Sequence, residues 1–123
     1  QGAVGIQMTN ENENSELLTA LNKINHQNTE HACSAERELL RTINANCNSP
    51  VSVYATIKEN EISIQCQLFD HNGSLLFNEM ISGIVENNLL LAQELGKKII
   101  DQIGQKKINE LDILKDDFDY APD

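Results

Sequence analysis

The sequence predicts an α+β domain of two layers, in the order helix, three-stranded antiparallel sheet, helix. Apolar residues recur at helical spacing in residues 29–43 and again in residues 87–103. Between these helices, residues 51–57 and 62–68 alternate apolar and polar side chains, as half-buried strands do. Strands joined by short turns form a meander, and we expect the two helices to cover its apolar face.

The first 24 residues predict two shorter elements. Residues 3–8 favour a short strand, and residues 15–21 favour two helical turns. The longer helix that follows, residues 29–43, has an apolar stripe that faces the core. That stripe comprises Ala32, Ala35, Leu39 and Ile43.

Turn-forming residues separate the three strands. The polar residues 58–61 between the first two strands indicate a hairpin. A second turn, at residues 70–73, leads into a third strand over residues 74–81. Each strand therefore pairs with the next one along the chain.

The last helix, residues 87–103, is predicted to end at Gly104 and to resume over residues 105–111. Its buried stripe comprises Ala92, Leu95, Ile99 and Ile103. The acidic residues from Asp112 onward predict a frayed tail.

Composition excludes several classes of partner. Nineteen Asp and Glu against nine Lys and Arg give the 123 residues a formal charge of −10, which argues against binding to nucleic acid or to an anionic membrane surface. There is no run of about 18 apolar residues that could cross a membrane, and the first residues lead us to expect no signal peptide. Because residue 1 is not Met, we expect the chain to be truncated, processed or cut from something longer.

The three cysteines differ in their surroundings. Their odd number, without a CxxC pair or a zinc-binding pattern, indicates free thiols in a reducing, cytoplasmic setting. Cys66 lies in the alternating pattern of a strand and is expected to point into the core. Cys33 lies beside the apolar stripe of a helix and is expected to pack there.

Cys47 lies instead in an irregular loop, residues 44–50, between a helix and a strand. Loops held by a rigid scaffold often carry reactive groups, but a half-exposed loop cysteine can also be incidental. No His or acidic residue is close in sequence, so a Cys/His protease-like site has little support. The pattern alone leaves both interpretations open.

Several segments, in this order, resemble the porphobilinogen deaminase (hydroxymethylbilane synthase) family. They are QGAVGI at residues 1–6, LLTALN at 17–22, AERELLR at 35–41, CNSPV at 47–51 and IGQKKI at 103–108. Any one segment is a weak signal, but the ordered set is specific and covers most of the chain. The family usually has Gly before the cysteine and Gln-Val after it; here Ala45-Asn46 and Asn48-Ser49 stand there. These departures from the family pattern predict a loop that is stiffer or differently bent but keeps the thiol.

This resemblance implies a function in tetrapyrrole (haem) biosynthesis. The family condenses four porphobilinogen units into hydroxymethylbilane, and the resemblance implies that Cys47 anchors a covalent dipyrromethane cofactor through a thioether. It also implies that the backbone of Gly2 and Ala3 contacts the cofactor. The acid/base aspartate and the substrate-binding Arg and Lys residues of the family lie in domains outside this chain. No catalytic residue and no metal ligand is therefore assigned here, and the fragment alone is expected to be inactive.

The resemblance also implies how the chain is organised. Residues 1–24 would be a return segment that completes an absent N-terminal domain, and residues 25–123 would be the C-terminal domain to which the cofactor is attached. The full-length protein would be a monomer that binds porphobilinogen mainly through its other domains.

Two other interpretations carry no catalysis. The order helix, three strands, helix is also that of a double-stranded RNA-binding domain, which needs Lys or Arg at the start of its last helix. Here that helix starts with Asn87-Asn88-Leu89 and the net charge has the wrong sign. A small α+β interaction module with an incidental thiol is the other alternative.

Overall fold

The computed structural model describes residues 2–9 and 14–111. A three-stranded antiparallel sheet packs against helices on one face, as the sequence predicts. The helices are α1 (Ser15–Ile24), α2 (Gln27–Thr42), α3 (Asn88–Ile103) and α4 (Gln105–Glu110), with a 3₁₀ turn at Val85–Asn87 before α3. The strands are β1 (Val51–Lys58), β2 (Glu61–Phe69) and β3 (Leu75–Ile84).

The sheet is a meander in the order β1-β2-β3. In β1–β2, Ala55 is opposite Ile64, and in β2–β3 Ile64 is opposite Ile81, so one row of apolar side chains crosses the sheet. Since neighbouring residues of a strand point to opposite faces, this register places every second residue of each strand on the helix side. A bulge between Leu68 and Phe69 ends the regular pairing of β2 with β3.

Helices α2 and α3 lie side by side on that face and run in the same direction. The Asn88 side chain donates to the carbonyl of His31 (3.0 Å), and the Gln93 side chain donates to the Glu38 carboxylate (2.9 Å). The residue numbers rise together along both helices, which defines the parallel arrangement. The core between helices and sheet contains the largest fully buried side chains: Leu39, Ile43, Ile62, Ile64, Cys66, Leu68, Leu95 and Ile99.

The burial of most residues in the two predicted helical stripes is confirmed, but one residue of each stripe is only partly buried. Ala35, Leu39 and Ile43 of α2 are fully buried, whereas Ala32, near the start of that helix, is only partly buried. In α3, Ile103 at the last position is likewise only partly buried. The periodicity therefore identified the core-facing stripes, although Ala32 and Ile103 are not fully buried.

The strand prediction for residues 3–8 is wrong. The structure has no strand in residues 2–9, and almost all of these side chains are exposed. An isolated extended segment gains stability only by pairing with another strand, and the described sheet ends at β1 and β3 without adding it. The predicted tail from Asp112 onward lies outside the described residues.

Capping side chains account for helix ends that the periodicity alone misplaces. The Asn14 side chain accepts hydrogen bonds from the backbone N–H groups of Glu16 and Leu17 (3.1 Å each), and α1 then continues to Ile24. At the start of α2, the His26 ring accepts from the backbone N–H of Thr29 (3.2 Å), so this helix begins two residues earlier than predicted.

The close approach of α2 and α3 depends on Gly96. A Cβ atom built on this buried residue would lie 2.7 Å from Cγ2 and 2.9 Å from Cβ of Thr42. The hydroxyl of Thr42 donates to the carbonyl of Glu38 (2.8 Å), which holds the side chain in place. The Thr42 side chain of α2 therefore packs directly against the backbone of α3 at Gly96.

We expect Gly96→Ala to destabilise the domain by about 1–2 kcal/mol, because overpacking against Thr42 outweighs the better helix propensity of Ala. Gly83→Ala is the matched control: the added methyl would meet only the movable end of the Leu91 side chain (2.9 Å). We expect this control to change stability by less than about 0.5 kcal/mol. Urea denaturation of both variants measures the difference, and equal stabilities would contradict the proposed contact.

Candidate functional site

The loop that carries Cys47 begins where α2 ends in a reversal of the chain. Asn44 adopts a left-handed conformation (φ 56°), and its N–H donates to the carbonyl of Arg41 (3.1 Å). The N–H of Ala45 donates to the carbonyl of Leu40 (2.9 Å). These two bonds form a Schellman motif, in which Asn replaces the usual Gly. The direction in which the chain leaves α2 is thus fixed by hydrogen bonds.

Cys47 lies within a tight turn from Asn46 to Ser49. The N–H of Ser49 donates to the carbonyl of Asn46 (3.1 Å) and closes the turn. The Asn46 side chain accepts from the N–H of Asn48 (2.8 Å), and the Ser49 hydroxyl accepts from the N–H of Asn46 (2.9 Å). Side chains on either side of Cys47 therefore bind the backbone of the same turn, which we call the Asn46–Ser49 turn.

The other end of the loop is attached to the sheet. The N–H of Val51 donates to the carbonyl of Ser49 (2.8 Å), and the N–H of Phe69 donates to the carbonyl of Pro50 (3.0 Å). The second bond extends the β1–β2 ladder by one step beyond Val51. Residues 44–50, which we call the Cys47 loop, are therefore held between the end of α2 and the start of β1.

The family usually has Gly just before the cysteine, where this chain has Ala45 and Asn46. Neither position requires Gly in this structure. Within the described part of the loop, Asn44 is the residue with positive φ, and Ala45 and Asn46 are not among the positive-φ residues. Asn is one of the few non-glycine residues that adopts this conformation at low cost. The loop is bent at Asn44 and stiffened by the Asn46–Ser49 turn.

The structure sorts the three thiols as the sequence predicts. Cys47 is exposed, Cys33 is half-buried and Cys66 is completely buried. Burial raises the pKa of the Cys66 thiol to about 12, because the apolar core disfavours the thiolate. Since the thiolate is the reactive form, Cys66 is inert at neutral pH.

Gly2 and Ala3 are exposed, and residues 2–9 form no helix or strand. A Cβ atom built on Gly2 would meet nothing within 4 Å. Within the residues that the structure describes, no hydrogen bond connects either residue to the Cys47 loop. Their contact with a cofactor stays a prediction.

Charged side chains hold the scaffold behind the loop. The Glu36 carboxylate, itself buried, accepts a hydrogen bond from the backbone N–H of Ala55 (2.9 Å), which joins α2 to the edge strand β1. Hydrogen bonds from Arg41 and then from Gln93 lower the pKa of Glu38 below its usual value. Both carboxylates lie on α2, so they fix the helix that leads into the Cys47 loop.

The sequence analysis missed the residues that shape the loop. Asn46 and Ser49 flank Cys47 at spacings from which short polar side chains bond the nearby backbone, and that pattern could have identified the turn. Glu36 could not have been found in this way, because its partner Ala55 is 19 residues away.

The described residues also form a cleft away from the Cys47 loop. A cleft of about 570 Å³ is lined by Lys58–Glu61 and by Gly83–Ile84, at the opposite end of β1 from Cys47. Among residues 2–9 and 14–111, no group of His, Cys, Asp or Glu is arranged to hold a metal ion. No helix in that part of the chain has the length and apolarity needed to cross a membrane.

Comparison with known proteins places this fold and loop in one family. Residues 31–104 match the family model described as "Porphobilinogen deaminase, C-terminal domain". A porphobilinogen deaminase of Chlorobium phaeobacteroides is 34% identical over 111 residues, which is 84% of this chain and 35% of the relative. The porphobilinogen deaminase of Chlorobium limicola is 32% identical over 84% of this chain and 35% of the relative. The porphobilinogen deaminase of a Nostoc species is 29% identical over 90% of this chain and 34% of the relative.

Fold and site together define an α+β domain that presents one thiol on a hydrogen-bonded loop. The chain belongs to the porphobilinogen deaminase family, as its C-terminal domain. It spans about a third of the length of the curated relatives that it matches.

The burial of the thiols predicts their order of alkylation. With a short pulse of iodoacetamide at neutral pH we expect label on Cys47 first, then on Cys33, and on Cys66 only after unfolding. Peptide mapping by mass spectrometry gives the order, and the urea-unfolded chain, in which all three thiols react, is the control. Early label on Cys66 would mean that β2 presents its opposite face to the core.

Proposed function

We propose that this chain is the part of a hydroxymethylbilane synthase that carries the dipyrromethane primer on Cys47. The observation that carries the proposal is the exposed thiol in a loop held at both ends, within a domain of the porphobilinogen deaminase family. The complete enzyme would be a transferase that joins four porphobilinogen units into hydroxymethylbilane. Three free thiols fit a reducing, cytoplasmic setting, in which the enzyme would act as a monomer.

The chemistry of Cys47 fits a covalently attached pyrrole. Cysteine reacts through its thiolate, which is a strong nucleophile, and the exposed Cys47 side chain is open to an incoming carbon centre. The sulfur would form a bond to the aminomethyl carbon of a porphobilinogen unit while the carbon–nitrogen bond breaks. Ammonia leaves with the thiol proton, so the step needs no oxidant. When bound, dipyrromethane supplies the free pyrrole end at which chain extension starts.

The rest of the reaction would depend on groups outside this chain. The Cys47 loop, residues 44–50, contains no Lys or Arg, whereas porphobilinogen carries two carboxylates that need cationic partners. The net charge of −10 supports the same division. The role of this domain would be to hold the primer, and the isolated chain is expected to release no bilane.

The start of the chain supports a contact with a further domain. Helix α1 has no buried residue, and Leu17, Leu18 and Ile24 are 38%, 51% and 66% exposed. It also precedes residue 31, where the family match begins. An amphipathic helix is stable only when its apolar face is covered. We infer that residues 1–24 complete a neighbouring domain and that Gly2 and Ala3 approach the cofactor from that side.

Leu17→Ala tests this placement of α1. In the full-length protein we expect a loss of about 2–4 kcal/mol in the stability of the domain that covers the helix, because a buried Leu is truncated. In the isolated chain, where Leu17 is exposed, we expect a change of less than about 0.5 kcal/mol. Asn22→Ala, on another face of α1, is the control. Thermal denaturation of the full-length protein and of the isolated chain measures the loss of stability. Equally small losses in the two proteins would argue against a covering domain.

Cys47→Ser tests the central proposal in the full-length protein. A Ser hydroxyl without an adjacent base is a far weaker nucleophile at nearly the same size, so we expect a folded protein without covalent cofactor and essentially without product. Intact mass detects the cofactor, and an assay for bilane detects turnover. Cys33→Ser is the matched control and should keep both. A Cys47→Ser enzyme with the cofactor's mass increment and normal turnover would refute the proposal.

A further inference from the structure

Three polar side chains form hydrogen bonds that restrict the backbone of the Cys47 loop and of the residue before it. Asn46 and Ser49 bond the backbone of the turn from within, at 2.8 and 2.9 Å. From outside, the Gln105 side chain donates to the carbonyl of Ile43 (3.0 Å), at the end of α2. The same amide donates to the Asn109 side chain (2.9 Å), which keeps it oriented.

Gln105 belongs to an element that is itself fixed. Gly104 (φ 88°) interrupts the helical backbone, and α4 then starts in a new direction. Ile108 and Leu111, at and just beyond the end of α4, are buried in the core. This position lies just beyond residue 104, where the family match ends. The contact from α4 to α2 is therefore made by a residue outside the segment that the family model matches.

The loop contains no glycine at the positions before Cys47, so its backbone starts with less conformational freedom, and these hydrogen bonds restrict it further. Forming the thioether requires the sulfur and the incoming carbon to meet at a narrow range of distances and angles. A thiol whose backbone is already held loses less conformational freedom when the bond forms, and the reaction is faster.

We propose, on the basis of the function proposed above, that Asn46, Ser49 and Gln105 are positioning residues that fix the Cys47 thiol for attachment of the primer. They act through the backbone of the loop and do not touch the reacting carbon. Each lost hydrogen bond should slow attachment by about fivefold, the factor that corresponds to about 1 kcal/mol.

The experiment follows attachment in full-length protein prepared without cofactor. Porphobilinogen is added, and the mass increment on Cys47 is measured against time for Asn46→Ala, Ser49→Ala and Gln105→Met. We expect each to attach the cofactor about fivefold more slowly than the parent, with a thermal midpoint close to that of the parent. Alkylation of Cys47 by iodoacetamide, a small reagent that approaches from many directions, should change by less than about twofold.

Each variant has a matched control. Asn48→Ala is the control for Asn46→Ala, because it also removes an Asn side chain next to Cys47. It keeps the backbone N–H that Asn48 donates to the Asn46 side chain. Ser49→Thr keeps the hydroxyl and should restore the parent rate. Lys106→Met makes a similar change on an exposed residue next to Gln105.

The outcomes separate this inference from the proposed function. A parent protein that gains no mass on Cys47 would refute the proposed function itself. A parent that gains mass while all three variants gain it equally fast would overturn the positioning role. A slow variant whose thermal midpoint falls in parallel, or a Ser49→Thr protein as slow as Ser49→Ala, would also overturn it, because the residues would then only stabilise the fold.

Discussion

The contact between α2 and α3 is the constraint on which the rest of this domain depends. The three strands have one apolar face, and two parallel helices must share it without leaving a gap. Gly96 allows them to touch at Thr42, the last residue of α2. Because this contact holds the last residue of α2 against α3, it also positions the point from which the chain departs toward Cys47.

The sheet contributes the second fixed point. An edge strand such as β1 has backbone groups on its outer side that no neighbouring strand pairs with. The buried Glu36 carboxylate accepts from one of them, the N–H of Ala55, so the helix and the strand on either side of the Cys47 loop are joined directly. On the opposite edge, Glu79 of β3 pairs with Lys98 of α3, and this hydrogen bond lowers the pKa of Glu79. Both edge strands are thus attached to the helical layer by a carboxylate.

These two fixed points determine how the Cys47 thiol is presented. The exposed thiol lies on a short loop whose ends are anchored to the core, so the thiol is accessible while its backbone is not free to move. The buried Cys66 and half-buried Cys33 offer no competing nucleophile of equal exposure. The Cys47 loop contains no Lys or Arg, so it offers no cationic side chain to a carboxylate.

The sequence by itself determined the order of elements, the faces of α2, α3 and β2 that are buried, and the location of a thiol in a loop. These features depend on periodicity and on turn-forming residues, which act over a few positions. The resemblance of ordered segments pointed to the family, which the comparisons then showed. Only the tertiary structure decided that residues 3–8 form no strand, that Glu36 binds Ala55 and that Gln105 binds the end of α2. Such contacts join residues 19 and 62 positions apart, and no local pattern encodes which distant backbone group a side chain will reach.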